Sequence, residues 1–301
     1  MKNKDLGFTL IELIVALALG LIITAAAMQL FMGGLITTRL QEAGAELQDS
    51  GIFGLEYMAS EIRLANYGNI SHPELNDQTT LGGIVLTSGT AGTTNLPLDD
   101  LQNAITAVGG VSNVDIKSDQ LTILFIAPNR MFNCEGKEVQ AGEYVIQRYF
   151  LRKDTSASNS TDYGLACDAN KPPANSIAAI TEFGGSNAGE IIMPRVDLVR
   201  FYLGTQSENK TQAAYYTIDE YLTTAKNARA ASKKAPRIVS VKISVLVRSK
   251  DQTKSDLLKP SSEGTEQFAE GTVTLTDKTS TYMRREYTTT VALRNAMGEP
   301  L

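Results

Sequence analysis

The sequence predicts an α+β protein in which one long N-terminal α-helix, membrane-spanning in its first half and amphipathic in its second, packs on an antiparallel β-sheet domain. Three observations carry that prediction. No charged residue occurs from Leu13 to Thr38, a run longer than the roughly 20 residues an apolar helix needs to cross a bilayer core. From Arg39 the chain turns polar but keeps a helical period, and no proline interrupts it before Pro73. Late in the chain, "RIVSVKISVLVRS" from Arg237 alternates Val239, Val241, Ile243, Val245 and Val247 with Ser240, Lys242 and Ser244, the period of a strand with one dry and one wet face.

The apolar run comes first. Lys2 and Lys4 precede it with only Asp5 opposed, so the positive-inside tendency sets the N-terminus in the cytoplasm and the bulk of the protein beyond the inner face. Two ordinary readings compete with a special one. A secretory signal peptide would use Ala25, Ala26 and Ala27 as an A-x-A cleavage site. A plain single-span anchor explains the length but not Glu12, because a carboxylate inside the hydrocarbon costs about 2.5 to 3.5 kcal/mol and asks for a partner.

Beyond Arg39, Leu40, Leu47, Leu55, Met58, Ile62 and Ala65 fall close to one helical face, while Gln41, Glu42, Glu46, Asp49, Glu56 and Glu61 sit mostly elsewhere. One continuous helix from Phe8 to Asn66 is expected, on the order of 85 Å long at 1.5 Å per residue. Its outer half needs a sheet to pack on. "ANYGN" ends it, with Gly68 as the stop signal.

Residues 70 to 113 are rich in Gly, Thr, Asn and Ser around the short apolar run "GGIVL". "GGIVLTSGTAGTTN" lacks the lysine of a phosphate-binding loop and reads as a strand followed by a loop. Strands are then expected at 119 to 127, 143 to 152, 196 to 204 and from Arg237, with a last one through Tyr287, Thr289, Val291 and Leu293. "SKDQTKSDLLKPSSEGTEQ" between the final two has the composition of a loop. Residues 217 to 233 form either a short helix or a long polar connection ending at Pro236.

Composition limits the chemistry. With 301 residues, a formal net charge of -5, two cysteines, one histidine and no tryptophan, the chain offers little for a metal site, a histidine-based active site or a phosphate-binding surface. No cofactor, metal or specific nucleic acid is expected. His72 precedes a proline in a loop, far in sequence from any nucleophile, and does not make a triad. "DQTKSD" from Asp251 to Asp256 lacks the pattern of a calcium loop. Cys134 and Cys167 flank the strand at 143 to 152, and an outward topology puts both where secreted pairs form disulfides. Such a bridge would close a loop of about 34 residues and stabilise by roughly 3 to 4 kcal/mol.

"GFTLIE" carries a resemblance. A glycine closing a short basic leader, then phenylalanine, then glutamate four residues on, resembles the processing site of type IV prepilins and type II secretion pseudopilins. That resemblance implies cleavage between Gly7 and Phe8 by a prepilin peptidase, N-methylation of Phe8, and a role for Glu12 in pairing with the first amine of a neighbouring subunit. A buried ion pair acts there as a register device, since an unpaired partner is costly. The divisions implied are a leader at 1–7, a membrane and assembly half of the helix at 8–38, an amphipathic half at 39–66, and a soluble β-rich head at 67–301 holding the 134–167 bridge.

"ELQDSGIFGLEYMASEIRLANYG", "VSVKISVLVRS" and "MRREYTTTVALRN" further resemble the helix end and late strands of PilW-type minor pilins, which are similar to the large pseudopilin J. The resemblance implies a non-enzymatic subunit that helps prime type IV pilus assembly and sits at or near the tip. Implied partners are other minor pilins, the major pilin, the inner-membrane assembly platform and a tip adhesin, with a single-pass inner-membrane location before assembly. The alternatives are a large minor pseudopilin of a type II secretion system and, from another class, a membrane-anchored periplasmic enzyme, which would need a recessed pocket with converging acid and base groups.

Overall fold

The computed structural model describes residues 9–298 apart from 91, 99–104, 158, 172–173, 181–182, 184–187, 208–211, 253–263 and 270. Helix α1 runs unbroken over Leu10–Ile62, 53 residues, or about 80 Å at 1.5 Å per residue. It stops four residues before the expected Asn66, for a local reason. Asn66 takes a left-handed conformation, φ 66°, which asparagine tolerates better than most L-residues. Its backbone N–H donates to Leu124 O, its side-chain amide donates to Asn295 O, and its Oδ1 accepts from Gly83 N, each at 3.0 Å. The Asn295 amide in turn caps the carbonyls of Arg63 and Ala65 at 3.0 and 3.3 Å. Gly83 is required at this clasp, because a Cβ there would lie 2.1 Å from the Asn66 backbone nitrogen.

The head contains β1 (Ala107–Gly110), β2 (Ser118–Ile126), β3 (Met131–Phe132), β4 (Glu138–Val139), β5 (Tyr144–Lys153), β6 (Tyr163–Ala169), β7 (Glu190–Met193), β8 (Val196–Gln206) and β9 (Ala213–Thr217). Helix α2 (Ile218–Ala230) follows, then β10 (Arg237–Gln252), β11 (Thr265–Phe268), β12 (Gly271–Thr274) and β13 (Tyr282–Ala292). One sheet has the order β1-β2-β5-β6-β7 and a second the order β13-β10-β8-β9, with β3–β4 and β11–β12 as separate hairpins. The named strand pairs are antiparallel. Alternating β-branched and aromatic residues make these runs strands because such side chains pack well on a pleated, half-buried surface. The buried face of α1, including Leu47, Leu55, Met58 and Ile62, joins Tyr149, Phe201, Val241 and Val291 in one apolar core. Burial of that face, more than intrinsic propensity, holds the outer half of the helix.

Residues 217 to 233 resolve as helix rather than connection. Thr217 and Glu220 cap α2 reciprocally: Glu220 Oε2 accepts from the Thr217 N–H and hydroxyl at 2.9 Å, and the Glu220 N–H donates to Thr217 Oγ1 at 3.4 Å. This is the T-x-x-E capping box, which satisfies donors left open at a helix start.

Strand β10 departs from its expected period near its start and at its middle. The β8–β10 register shifts between Ile238 and Ser240, so Ile238 is fully buried and Val239 only half-buried. One extra residue on a strand reverses the faces before it. Lower down, Ser244 was expected on the wet face but is buried, its hydroxyl 2.9 Å from Thr288 Oγ1. The β11–β12 hairpin explains the difference: Phe268, Val273 and Leu275 pack with Val114, Leu198 and Leu246 over that second face. Part of this cover, Thr265–Phe268, begins inside the stretch read as loop.

Candidate assembly interface

The lower half of α1 has no cover of its own. Every residue from Thr9 to Arg39 is exposed, among them Leu10, Leu21, Ile22, Leu30 and Phe31. Contiguous apolar surface of this extent marks a membrane or protein contact. Its threonine hydroxyls are turned back onto the helix: Thr24 Oγ1 donates to Gly20 O at 2.7 Å, Thr37 to Gly33 O at 3.0 Å and Thr38 to Gly34 O at 3.1 Å. Hydroxyls satisfied in this way can enter hydrocarbon or an apolar filament core without an open hydrogen bond.

Glu12 follows the same rule. Thr9 is the N-cap of α1, and Glu12 Oε2 accepts both the Thr9 N–H and the Thr9 hydroxyl at 2.9 Å, while the Glu12 N–H donates to Thr9 Oγ1 at 3.4 Å. The carboxylate thus closes a capping box and also lies at the positive end of the helix dipole. Thr9 is a participant that the reading of Glu12 as a lone membrane charge overlooked, although "TLIE" carries the T-x-x-E spacing. Gly7 and Phe8 lie outside the described residues.

The upper half of α1 is used on both sides. Its inner face fits so closely that a Cβ on Gly51 would come within 2.4 Å of the Tyr287 ring, and one on Gly54 within 2.4 Å of Met193 Cε. Its outer face leaves Ile52 and Phe53 exposed, Phe53 by 71%, a separate apolar patch set above the polar Gln41, Glu42, Gln48 and Asp49. Burial pushes the Glu61 carboxyl up from its ordinary value, with the Gln147 side chain partly opposing. Burial raises the Tyr57 phenol as well, reinforced by the charge of Glu61.

Polar staples hold the head behind this face. Cys134 and Cys167 form a disulfide with Cα atoms 6.0 Å apart. On the paired strands β5 and β6, Arg148 and Asp168 are buried opposite each other and bonded at 2.8 Å. Asp197 on β8 is fully buried and takes Arg284 Nε at 2.8 Å and Asn113 Nδ2 at 2.7 Å. Arg248 reaches the same carboxylate and also bonds Asp162. Between the sheets, Asp119 Oδ2 accepts from Phe201 N at 2.8 Å and lies 3.4 Å from Arg200 Nε.

The candidate catalytic and metal-binding residues of the sequence are not brought together among the described residues. His72 lines a polar cleft of about 600 Å³ with Ser71, Glu74, Arg229 and Lys233, but among the described residues its imidazole makes no hydrogen bond. No group of three His, Cys, Asp or Glu able to hold a metal occurs among the described residues. The supposed calcium loop lies outside the described residues from 253 onward. In "GGIVL", Ile84, Val85 and Leu86 are buried and Ile84 bridges Ile123, so the stretch is core and not a phosphate cradle.

Two family models match the chain: the prokaryotic N-terminal methylation motif over residues 2–28 and the type IV pilus-assembly protein W over residues 148–295. The solved structure of the type IV-like pilin TTHA1219 from Thermus thermophilus is similar at 12% identity with a TM-score of 0.40, covering 83% of this chain and 96% of that one. No curated protein matches. A methylation motif on an exposed apolar helix that rises into an antiparallel β head defines the type IV pilin class. Within that class the chain is similar to the PilW-type minor pilins, and the stretch matching that family runs from Arg148 on β5 to Asn295, the residue that caps α1. The domains of this family are structural, and the apolar stem is that of a membrane-anchored pilin.

Proposed function

We propose that the protein is cut between Gly7 and Phe8, methylated at Phe8, and drawn from the inner membrane into a type IV pilus, where it helps prime assembly and sits at or near the tip. The observation that carries this reading is the stem: a continuous exposed apolar surface whose polar side chains at Thr9, Glu12, Thr24, Thr37 and Thr38 are bonded within the helix itself. Such a segment suits two apolar surroundings in turn, lipid and the packed helices of a filament. Cleavage would place a new amine next to the N-cap Thr9, so Glu12 of one subunit could exchange its Thr9 contact for the amine of the next. Its partners on this reading are the minor and major pilins, the assembly platform and a tip adhesin, and the head at 67–301 acts through subunit contacts without catalysis.

Glu12→Gln separates the two roles of that residue, because glutamine also completes a capping box but carries no charge. Incorporation into purified pili should fall at least tenfold in Glu12→Gln with membrane insertion unchanged; wild-type incorporation would reduce Glu12 to a cap. Mass spectrometry of purified pili should find a methylated N-terminal Phe8 peptide at low abundance. A mature chain beginning at Met1, or cut after Ala27, would overturn the processing scheme.

A further inference from the structure

Strand β9 is the outer strand of the four-stranded sheet, and its free edge has a defined set of backbone groups. The Ser207 N–H donates to Gln212 O at 2.9 Å. Hydrogen-bonded and non-bonded pairs alternate along an antiparallel ladder. With Gln206 opposite Ala213 and Gly204 opposite Tyr215, the bonded pairs are therefore Thr205 with Ala214 and Leu203 with Tyr216. The N–H and C=O groups of Ala213 and Tyr215 consequently point away from β8, toward the open side. The Thr205 hydroxyl reaching Ala214 O at 3.2 Å agrees with this alternation, since that carbonyl faces β8.

Natural sheets guard such edges with charge, proline or a bulge. The β9 sequence "AAYYT" has no charge or proline, its pairing with β8 runs without a register shift, and Ala213, Ala214 and Tyr215 are all exposed. The other edges of the two main sheets differ: β13 carries Arg284, Arg285 and Glu286, β1 is broken by a register shift at Val108 to Gly110, and β7 opens on Glu190 and pairs with β6 through a register shift at Leu165 to Ala166.

Beside this edge runs a groove of about 490 Å³ between β9 and α2, lined by Tyr215, Tyr216, Asp219, Glu220, Thr223 and Thr224. Its rings and hydroxyls are neutral and its two charges are both negative. Glu220 is held by the Thr217 capping box, while Asp219 makes no hydrogen bond or ion pair among the described residues. An uncharged strand edge alone would accept many chains. An edge walled by tyrosines and carboxylates selects one with a basic side chain, through ion pairing and cation–π contact.

We propose that this groove receives an extended, cationic segment of another subunit, which pairs with Ala213 and Tyr215 as an added β-strand and sets a Lys or Arg against Asp219. Identifying the second protein as a filament subunit rests on the proposed function; the groove does not.

The test uses the full-length protein in its own cells, with a photo-crosslinking residue at Thr223 and mass-spectrometric mapping of the attached peptide. Crosslinks should converge on one segment of a second protein that carries Lys or Arg. Their yield should drop tenfold or more in Asp219→Lys, which reverses the groove charge, and in Ala213→Pro, which removes an outward N–H not used by β8. Melting by circular dichroism should stay within a few degrees in both. Should Ala213→Pro misfold, Asp219→Lys decides alone, because Asp219 is exposed and outside the capping bonds. Scattered crosslinks, a segment without a basic residue, or an unchanged yield in Asp219→Lys would overturn the proposal. A cationic strand from a protein outside the filament would uphold the groove and overturn the pilus reading.

Discussion

The two halves of α1 share one unbroken backbone and differ in what their glycines touch. At Gly20, Gly33, Gly34 and, at the foot of the upper half, Gly44 an added Cβ would meet nothing within 4 Å, whereas at Gly51 and Gly54 it would strike Tyr287 and Met193. From Gly51 upward the chain has already spent its glycines on its own fold. In the lower half the small residues and the exposed leucines and isoleucines remain open to whatever surrounds the helix. Stability of the head and competence of the stem are therefore separable, and substitutions should affect one without the other.

The largest expected separation is at Met58, which is fully buried. Met58→Ala should lower head stability by about 2 to 5 kcal/mol in chemical denaturation of the detergent-solubilised protein, while Leu21→Ala in the stem should leave the same transition in place. Next comes the disulfide. Replacing Cys134 and Cys167 together by serine should cost about 3 to 4 kcal/mol for a bridge of sequence separation 33, again without changing membrane extraction of the stem. Gly51→Ala should cost about 1 to 3 kcal/mol by forcing the Tyr287 ring away. Gly33→Ala should be neutral or stabilise the helix by up to about 1 kcal/mol, and equal effects at the two sites would abolish the distinction drawn here.

A further expected effect is a pH dependence confined to the head. Burial raises the Asp119 carboxyl from 3.8 to about 7, against the opposing influence of Arg200 and the Phe201 N–H, with Asp219 adding to the rise. The folded head thus binds this proton more tightly than the unfolded chain does. Its contribution is most favourable below the unfolded value and is lost as pH rises toward 7. Glu61, Asp168 and Glu266 are raised in the same sense. Between about pH 4 and 7 the melting temperature should fall with rising pH, and Asp119→Asn should flatten that slope; an unchanged slope would remove Asp119 as a source.

Much of this architecture was legible in the residues. A charge-free run and a proline-free helical period are local signals, and α1 follows from them. The alternation in β10 and β13 is equally local. What escaped the sequence depended on distant partners. Nothing in "VKISVLVRS" shows that the β11–β12 hairpin covers its second face, and nothing in "ANYGN" names Asn295 as the cap of the helix above it. The two capping boxes were present in "TLIE" and "TIDE". In the first, the cost of a charge in lipid drew attention to Glu12 and away from the threonine three residues earlier. The groove beside β9 depended on strand order, which no single stretch encodes.

The clasp between Asn66 and Asn295 joins positions 229 residues apart, and it sets an order of events during synthesis. A chain made from its N-terminus presents the stem long before the residues near 295. The upper end of α1 can close only after that late stretch has emerged, so the anchor is in place before the head is complete.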